Sequence, residues 1–150
     1  MKRIHRGMAL ALSAVLLLLT AAPSAWAAEN TITIETAQDL AELSKNCSLD
    51  SWSQGKTVLL AGDIDLTGTD FRPIPTFGGT FDGQGHTISG LLVTGNGNVQ
   101  GLFRYVQVGG VVQDLSVRGT VSPTDFRDTA GGIVGSNRGQ LLRCTFQGTV

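Results

Sequence analysis

Within 150 residues there is room for one domain, and 20 glycines, a charged fraction of 15% and an aliphatic-rich remainder describe a β-rich globular chain, not a disordered one. The formal charge is −1, falling to −4 once residues 1–27 are set aside, because that stretch holds three of the 11 Lys/Arg and none of the 12 Asp/Glu. A mildly acidic chain with no basic cluster argues against nucleic acid as a partner, and beyond the first segment no apolar run is long enough to span a membrane.

Lys2, Arg3 and Arg6 precede the apolar run of residues 8–19, Pro23 follows, and Ala25-Trp26-Ala27 satisfies the small-x-small cleavage rule. The apolar run is shorter than the roughly 20 residues a membrane span needs. Residues 1–27 are therefore read as a signal peptide cleaved after Ala27, and the chain is expected outside the cell, secreted or at the cell surface. The remainder divides into residues 28–56, a strand, a cap helix and a loop, and residues 57–150, a stack of β-rungs.

Residues 31–35 alternate Thr-Ile-Thr-Ile-Glu, a half-buried strand. Thr36 with Asp39 three residues on resembles a capping box, and Leu40, Leu43 and Cys47 form one apolar stripe on a helix of about three turns. A helix with a single apolar face at the start of a repeat array suits a cap over the open end of the stack. A polar loop holding Trp52 leads to β-rich runs at 57–60 and 63–66, the second with Ile64 and Leu66 on one face and Asp63 and Asp65 on the other. Pro73 and Pro75 exclude a central strand of a flat sheet and suit a corner between strands.

The repeat decides the expected fold. Ile64, Ile88, Val112 and Leu141 each begin a short apolar strand, at steps of 24, 24 and 29 residues. Leu91, Leu115 and Cys144 keep these steps, as do Val93, Val117 and Phe146. Arg118-Gly119-Thr120-Val121 matches Gln147-Gly148-Thr149-Val150, and Gly101-Leu102-Phe103 answers Gly132-Ile133-Val134. A unit this small buries its apolar face only by stacking on copies of itself, and the short strands point to an all-β, parallel β-helix with an N-terminal helical cap. A β-sandwich is the alternative, but would not need strand positions to recur in register. Gly78, Gly79, Gly83 and Gly85 are read as corner residues, Phe77 and Phe81 as interior filling, and Ile88 and Leu91 as the start of the ladder. Val150 falls at the end of a rung, which favours a truncated stack over an edge that pairs with another molecule.

GGIVGSNRGQLLRCTFQGTV, residues 131–150, is similar to the GLUG-type repeat of bacterial surface proteins, through Gly132, Ile133, Val134 and Gly135, then Asn137 and Gly139, then Gly148 and Val150. Residues 101–121 resemble the preceding copy, with Arg104 in place of the fourth glycine. The runs TVLLAGDIDLTG and FGGTFDGQGHTISGL resemble lead-in rungs of the same proteins. The resemblance implies a right-handed parallel β-helix on an exported, adhesin-like or wall-associated bacterial protein. Such repeats also occur as non-catalytic stretches of immunoglobulin-A-cleaving metallopeptidases, whose zinc-binding His-Glu-x-x-His is absent from this chain.

The chemical inventory is short. His86, the single histidine after residue 27, lies in the turn Gly83-Gln84-Gly85-His86 and is read as a turn residue bonding to backbone. Asp63 and Asp65 share a strand face at roughly 6.5–7 Å between Cα atoms, a spacing open to a solvated face, to calcium with nearby carbonyls, or to paired-carboxylate glycan chemistry. No cofactor is expected apart from that calcium reading. Trp52, Tyr105 and Phe126 have flat, partly apolar rings that can stack on sugars or pack on the core. Cys47 and Cys144, about three rungs apart, lie beyond disulfide reach and are expected as two separate buried thiols. The expected function is a non-catalytic exported module binding an extracellular glycan or protein. A polysaccharide-active β-helix enzyme and the repeat region of a larger peptidase stand as alternatives.

Overall fold

A computed structural model describes residues 30–124 and 129–150. The expected signal peptide, residues 1–27, and the candidate Phe126 lie outside the described residues. The chain coils as a parallel β-helix of about four turns, with one short helix. Every strand pairing is parallel, so each turn lies on the last in the same direction.

β1 (Thr31–Ile34) begins the first sheet, and α1 (Ala37–Asn46) follows it directly. The first full turn is β2 (Thr57–Leu60), β3 (Ile64–Asp65) and β4 (Ile74–Phe77). The second is β5 (Thr80–Asp82), β6 (Thr87–Gly95), β7 (Val99–Gln100) and β8 (Phe103–Val106). The third is β9 (Val111–Gln113), β10 (Ser116–Pro123), β11 (Thr129–Ala130) and β12 (Val134–Asn137), and the fourth is β13 (Gln140–Leu142) and β14 (Thr145–Thr149). The strands align as three walls: β1-β2-β5-β9-β13, then β3-β6-β10-β14, then β4-β8-β12, with β7-β11 as a small fourth sheet in the longer turns.

Apolar side chains stack in register between these walls. Val58, Phe81 and Val112 stand one above the next on the first wall, Ile64, Ile88 and Val117 on the second, and Ile74 and Phe103 on the third. All are buried, and Phe77, Phe81 and Phe103 form an aromatic cluster with ring centroids 5.2–6.1 Å apart. At about 25 cal/mol per Å² of apolar surface removed from water, such columns are the main source of stability in a fold with little helix.

α1 closes the first turn as its sequence pattern implies. Thr36 Oγ1 accepts from the Asp39 amide at 3.2 Å while Asp39 Oδ2 accepts from the Thr36 amide at 2.8 Å, a complete capping box. Leu40, Leu43 and Cys47 are buried on the core, and Ser44 Oγ donates to the Arg72 and Pro73 carbonyls. Those carbonyls belong to the approach to β4, the edge strand of its wall, so Pro75 sits inside a strand rather than at a corner. Edge position is what permits it, since the missing amide is not needed by a ladder partner.

The repeat register departs from the expected one. Ile88 lies beside Val117, a step of 29 residues, and Val112 belongs to another wall, between Phe81 and Leu141. Leu91 pairs with Gly119 and Val93 with Val121, not with Leu115 and Val117. The cause is twofold. The second turn is longer, carrying β7, and β6 holds a bulge where Ser89 and Gly90 oppose Arg118 alone, with Gly90 at φ +68. The steps among the later turns, Gly101 to Gly132, Leu115 to Cys144 and 118–121 to 147–150, agree with the ladder.

The corner glycines divide into two kinds. Gly85, at φ +80, has the conformational need expected of it. Gly79 and Gly83 are needed instead for close approach, because a Cβ there would meet the Ser53 and Lys56 carbonyls or the Asp114 carbonyl and Leu115.

Candidate functional site

The outer surface of the third wall gathers polar side chains and one exposed aromatic ring. A cleft of about 580 Å³ is framed by the 48–50 turn after α1, by Pro75 and Thr76 of β4, by Arg104 and Tyr105 of β8, and by Ser136 and Arg138 at β12. A second depression of about 1000 Å³ runs from α1 across the Thr69–Pro73 corner to the end of β6. Ser48, Pro75 and Arg104 border both, so the two meet as one groove.

The stacking register builds this surface. Tyr105 lies between Thr76 below and Ser136 above, at the spacing of adjacent strands, and is 42% exposed. Gln107 fixes the rim: its Nε2 donates to the Asp50 carbonyl at 2.7 Å and to Thr76 Oγ1 at 2.8 Å, and its Oε1 accepts from Gln54 Nε2 at 3.1 Å. Arg104 Nε donates to the Val99 carbonyl at 2.9 Å, which anchors the guanidinium and leaves its two amino groups as donors. Val108, 80% exposed, and Leu92, 65% exposed, add apolar surface at the two ends.

Charge is segregated here. Lys45, Arg72, Arg104 and Arg138 line the groove against Asp50 and Asp70. Among the described residues, four of the seven Lys/Arg face a groove that takes two of the nine Asp/Glu. None of the four basic groups is ion-paired among the described residues.

The other candidates fall elsewhere. Asp63 and Asp65 flank Ile64 on β3, both exposed. Asp63 Oδ1 accepts from the Thr87 amide at 2.8 Å and approaches His86 Nδ1 at 3.4 Å. Asp65 Oδ1 accepts from the Thr67 amide at 2.9 Å, and the hydrogen bonds from Thr67 hold its carboxyl below the usual carboxylate range. Asp63 thus ties the first turn to the second, while Asp65 closes a local turn with Thr67. A lowered pKa suits a ligand or base and opposes a general acid. Among the described residues no group of three or more His, Cys, Asp or Glu is gathered for a metal ion. Ser89 lies beside Asp65 on the next turn of the second wall, while on the first wall Gln113 Nε2 donates to Asp82 Oδ2 at 3.0 Å.

Trp52 packs half-buried against the core with Lys56 Nζ 5.0 Å from its ring centroid, so its face is taken. Tyr105 is the aromatic candidate whose ring meets solvent. Cys47 and Cys144 are separate free thiols. Cys47 is buried, and burial pushes its thiol up to about 11. Cys144 is only half-buried, contrary to expectation, and lies on the fourth turn with its Sγ donating toward the Leu142 and Val112 carbonyls.

No protein-family profile matches the chain, and no solved structure does. The chain is similar to Halomucin of Haloquadratum walsbyi, 31% identical over 117 residues, taking in 67% of this chain and 1% of that protein. The chain therefore spans about one-hundredth of the length of the relative it matches.

Proposed function

We propose that this chain is an exported, surface-associated β-helical module with an adhesin-like binding role and no catalysis in this segment, related to the GLUG-type repeats that its last two turns resemble. The observation that carries the reading is the groove on the third wall, a basic, aromatic-edged surface on an otherwise acidic chain. A parallel stack holds that surface rigid, because β8, which carries Arg104 and Tyr105, is laddered to β4 on one side and β12 on the other. The match to a small stretch of a far longer protein supports a role as one unit within an extended extracellular structure.

A module of this kind retains a polymer without cutting it. The purified chain incubated with a panel of bacterial and host polysaccharides is expected to bind at least one member and leave its chain length unchanged. Depolymerisation that disappears in Asp65→Asn would replace this reading with the enzyme alternative. A panel with neither retention nor cleavage would remove the glycan-binding role.

A further inference from the structure

We propose that the third-wall groove binds a stretch of acidic polysaccharide, with sugar carboxylates on Arg104 and Arg138 and a sugar ring against Tyr105; this rests on the reading of the chain as a binding module. Three features converge on that ligand class. First, the groove concentrates Lys45, Arg72, Arg104 and Arg138, while the other described residues carry three Lys/Arg against seven Asp/Glu, so an anionic polymer is attracted to this face over the others. Second, none of these cations is neutralised by a carboxylate among the described residues, and Arg104 is already oriented by the Val99 carbonyl. A planar guanidinium held in this way offers a carboxylate two parallel N–H donors at little further cost in side-chain entropy.

Third, the shape is that of a track. Two depressions of about 580 and 1000 Å³ meet at Ser48, Pro75 and Arg104, where a single small ligand would fill only one. Tyr105 stands in the first with Ser136 beside it in the next turn, which pairs an exposed ring face with a hydroxyl. Sugars present that combination, an apolar C–H face edged by hydroxyls, whereas an acidic peptide supplies the carboxylates without the ring.

Calorimetric titration of the full chain with polygalacturonate oligomers, their methyl esters and polyglutamate tests the inference. Polygalacturonate is expected to bind, with affinity falling as salt rises. R138Q is expected to weaken it about tenfold, the loss of one charge-assisted pair, and Y105A by a similar factor. Arg143→Gln, on the opposite corner, serves as the control and leaves affinity unchanged, while circular dichroism establishes that each variant is folded. Equal binding of the methyl ester or of polyglutamate overturns the acidic-sugar assignment. Undiminished binding in both groove variants places the site elsewhere and overturns the inference while the module reading stands. Binding of neutral polysaccharides alone does the same, and failure with every polysaccharide overturns the inference together with the glycan-binding role.

Discussion

Phe77, Phe81 and Phe103 cluster between the first and third walls, each fully buried, with Phe81 edge to face against both others and Phe77 and Phe103 tilted to each other. Phe81→Ala removes both edge-to-face contacts of the cluster and is expected to cost about 3–5 kcal/mol, read as a lower urea midpoint at unchanged slope. Phe77 and Phe81 as interior filling were legible in the sequence because aromatic residues in a glycine-rich stretch have few other places to go. Phe103 was visible only as the third place of a Gly-Leu-Phe segment, since nothing local says which turn it meets. The two thiols differ in the same physical way. Burial and a raised pKa make Cys47 a poor nucleophile, while Cys144 is raised less and is half exposed. Iodoacetamide at mildly alkaline pH is expected to label one cysteine in the native chain, Cys144, and both after denaturation. Rapid double labelling of the native chain would contradict the seating of α1.

At the scale of elements, α1 was the most legible part of the chain. Its cap, its stripe and its position before the first full turn are all local signals, and all are present. The capping box also makes a signed prediction. Asp39 is held below its ordinary pKa by its hydrogen bond from the Glu35 amide and by those from Thr36. A depressed carboxylate stabilises the fold above its unfolded pKa of about 3.9 and loses that contribution as pH falls through the lower folded value. Wild type should therefore melt above Asp39→Asn near neutrality, with the gap closing below about pH 4. A gap that stays constant into acid would show that the cap does not act through its charge. The strands of the first and second walls were legible as strands, but β4, read as a corner, was not, and neither was the register from the second turn to the third. A step of 24 residues holds from Ile64 to Ile88, and Val111–Gln113 looks as apolar as the true partner β10. The added β7 lengthens the step to 29 and the bulge at Gly90 then cuts it to 28, and neither leaves a periodic signature. The corner ladder was missed for a related reason. Asp114 and Arg143 both take positive φ, near +50, at stacked corners, and Arg143 Nη2 reaches Asp114 Oδ2 at 2.8 Å, yet no glycine marks either position.

For the whole molecule, three walls of parallel strands turn a chain of scattered polar residues into a surface with distinct faces. Lys45, Arg72, Arg104 and Arg138 lie on a helix, a corner and two successive turns, far apart in sequence and gathered only by coiling. That is why Tyr105 stood out in the sequence as an aromatic of interest while its basic neighbours did not. Hydrogen–deuterium exchange of the chain with and without polygalacturonate measures the use of this face directly. Added protection is expected in β4, β8 and β12 and in the turn through Ser48 and Asp50, with the outer face of β9 and β13 unchanged. Protection confined to the first wall, or none at saturating polymer, would contradict the account.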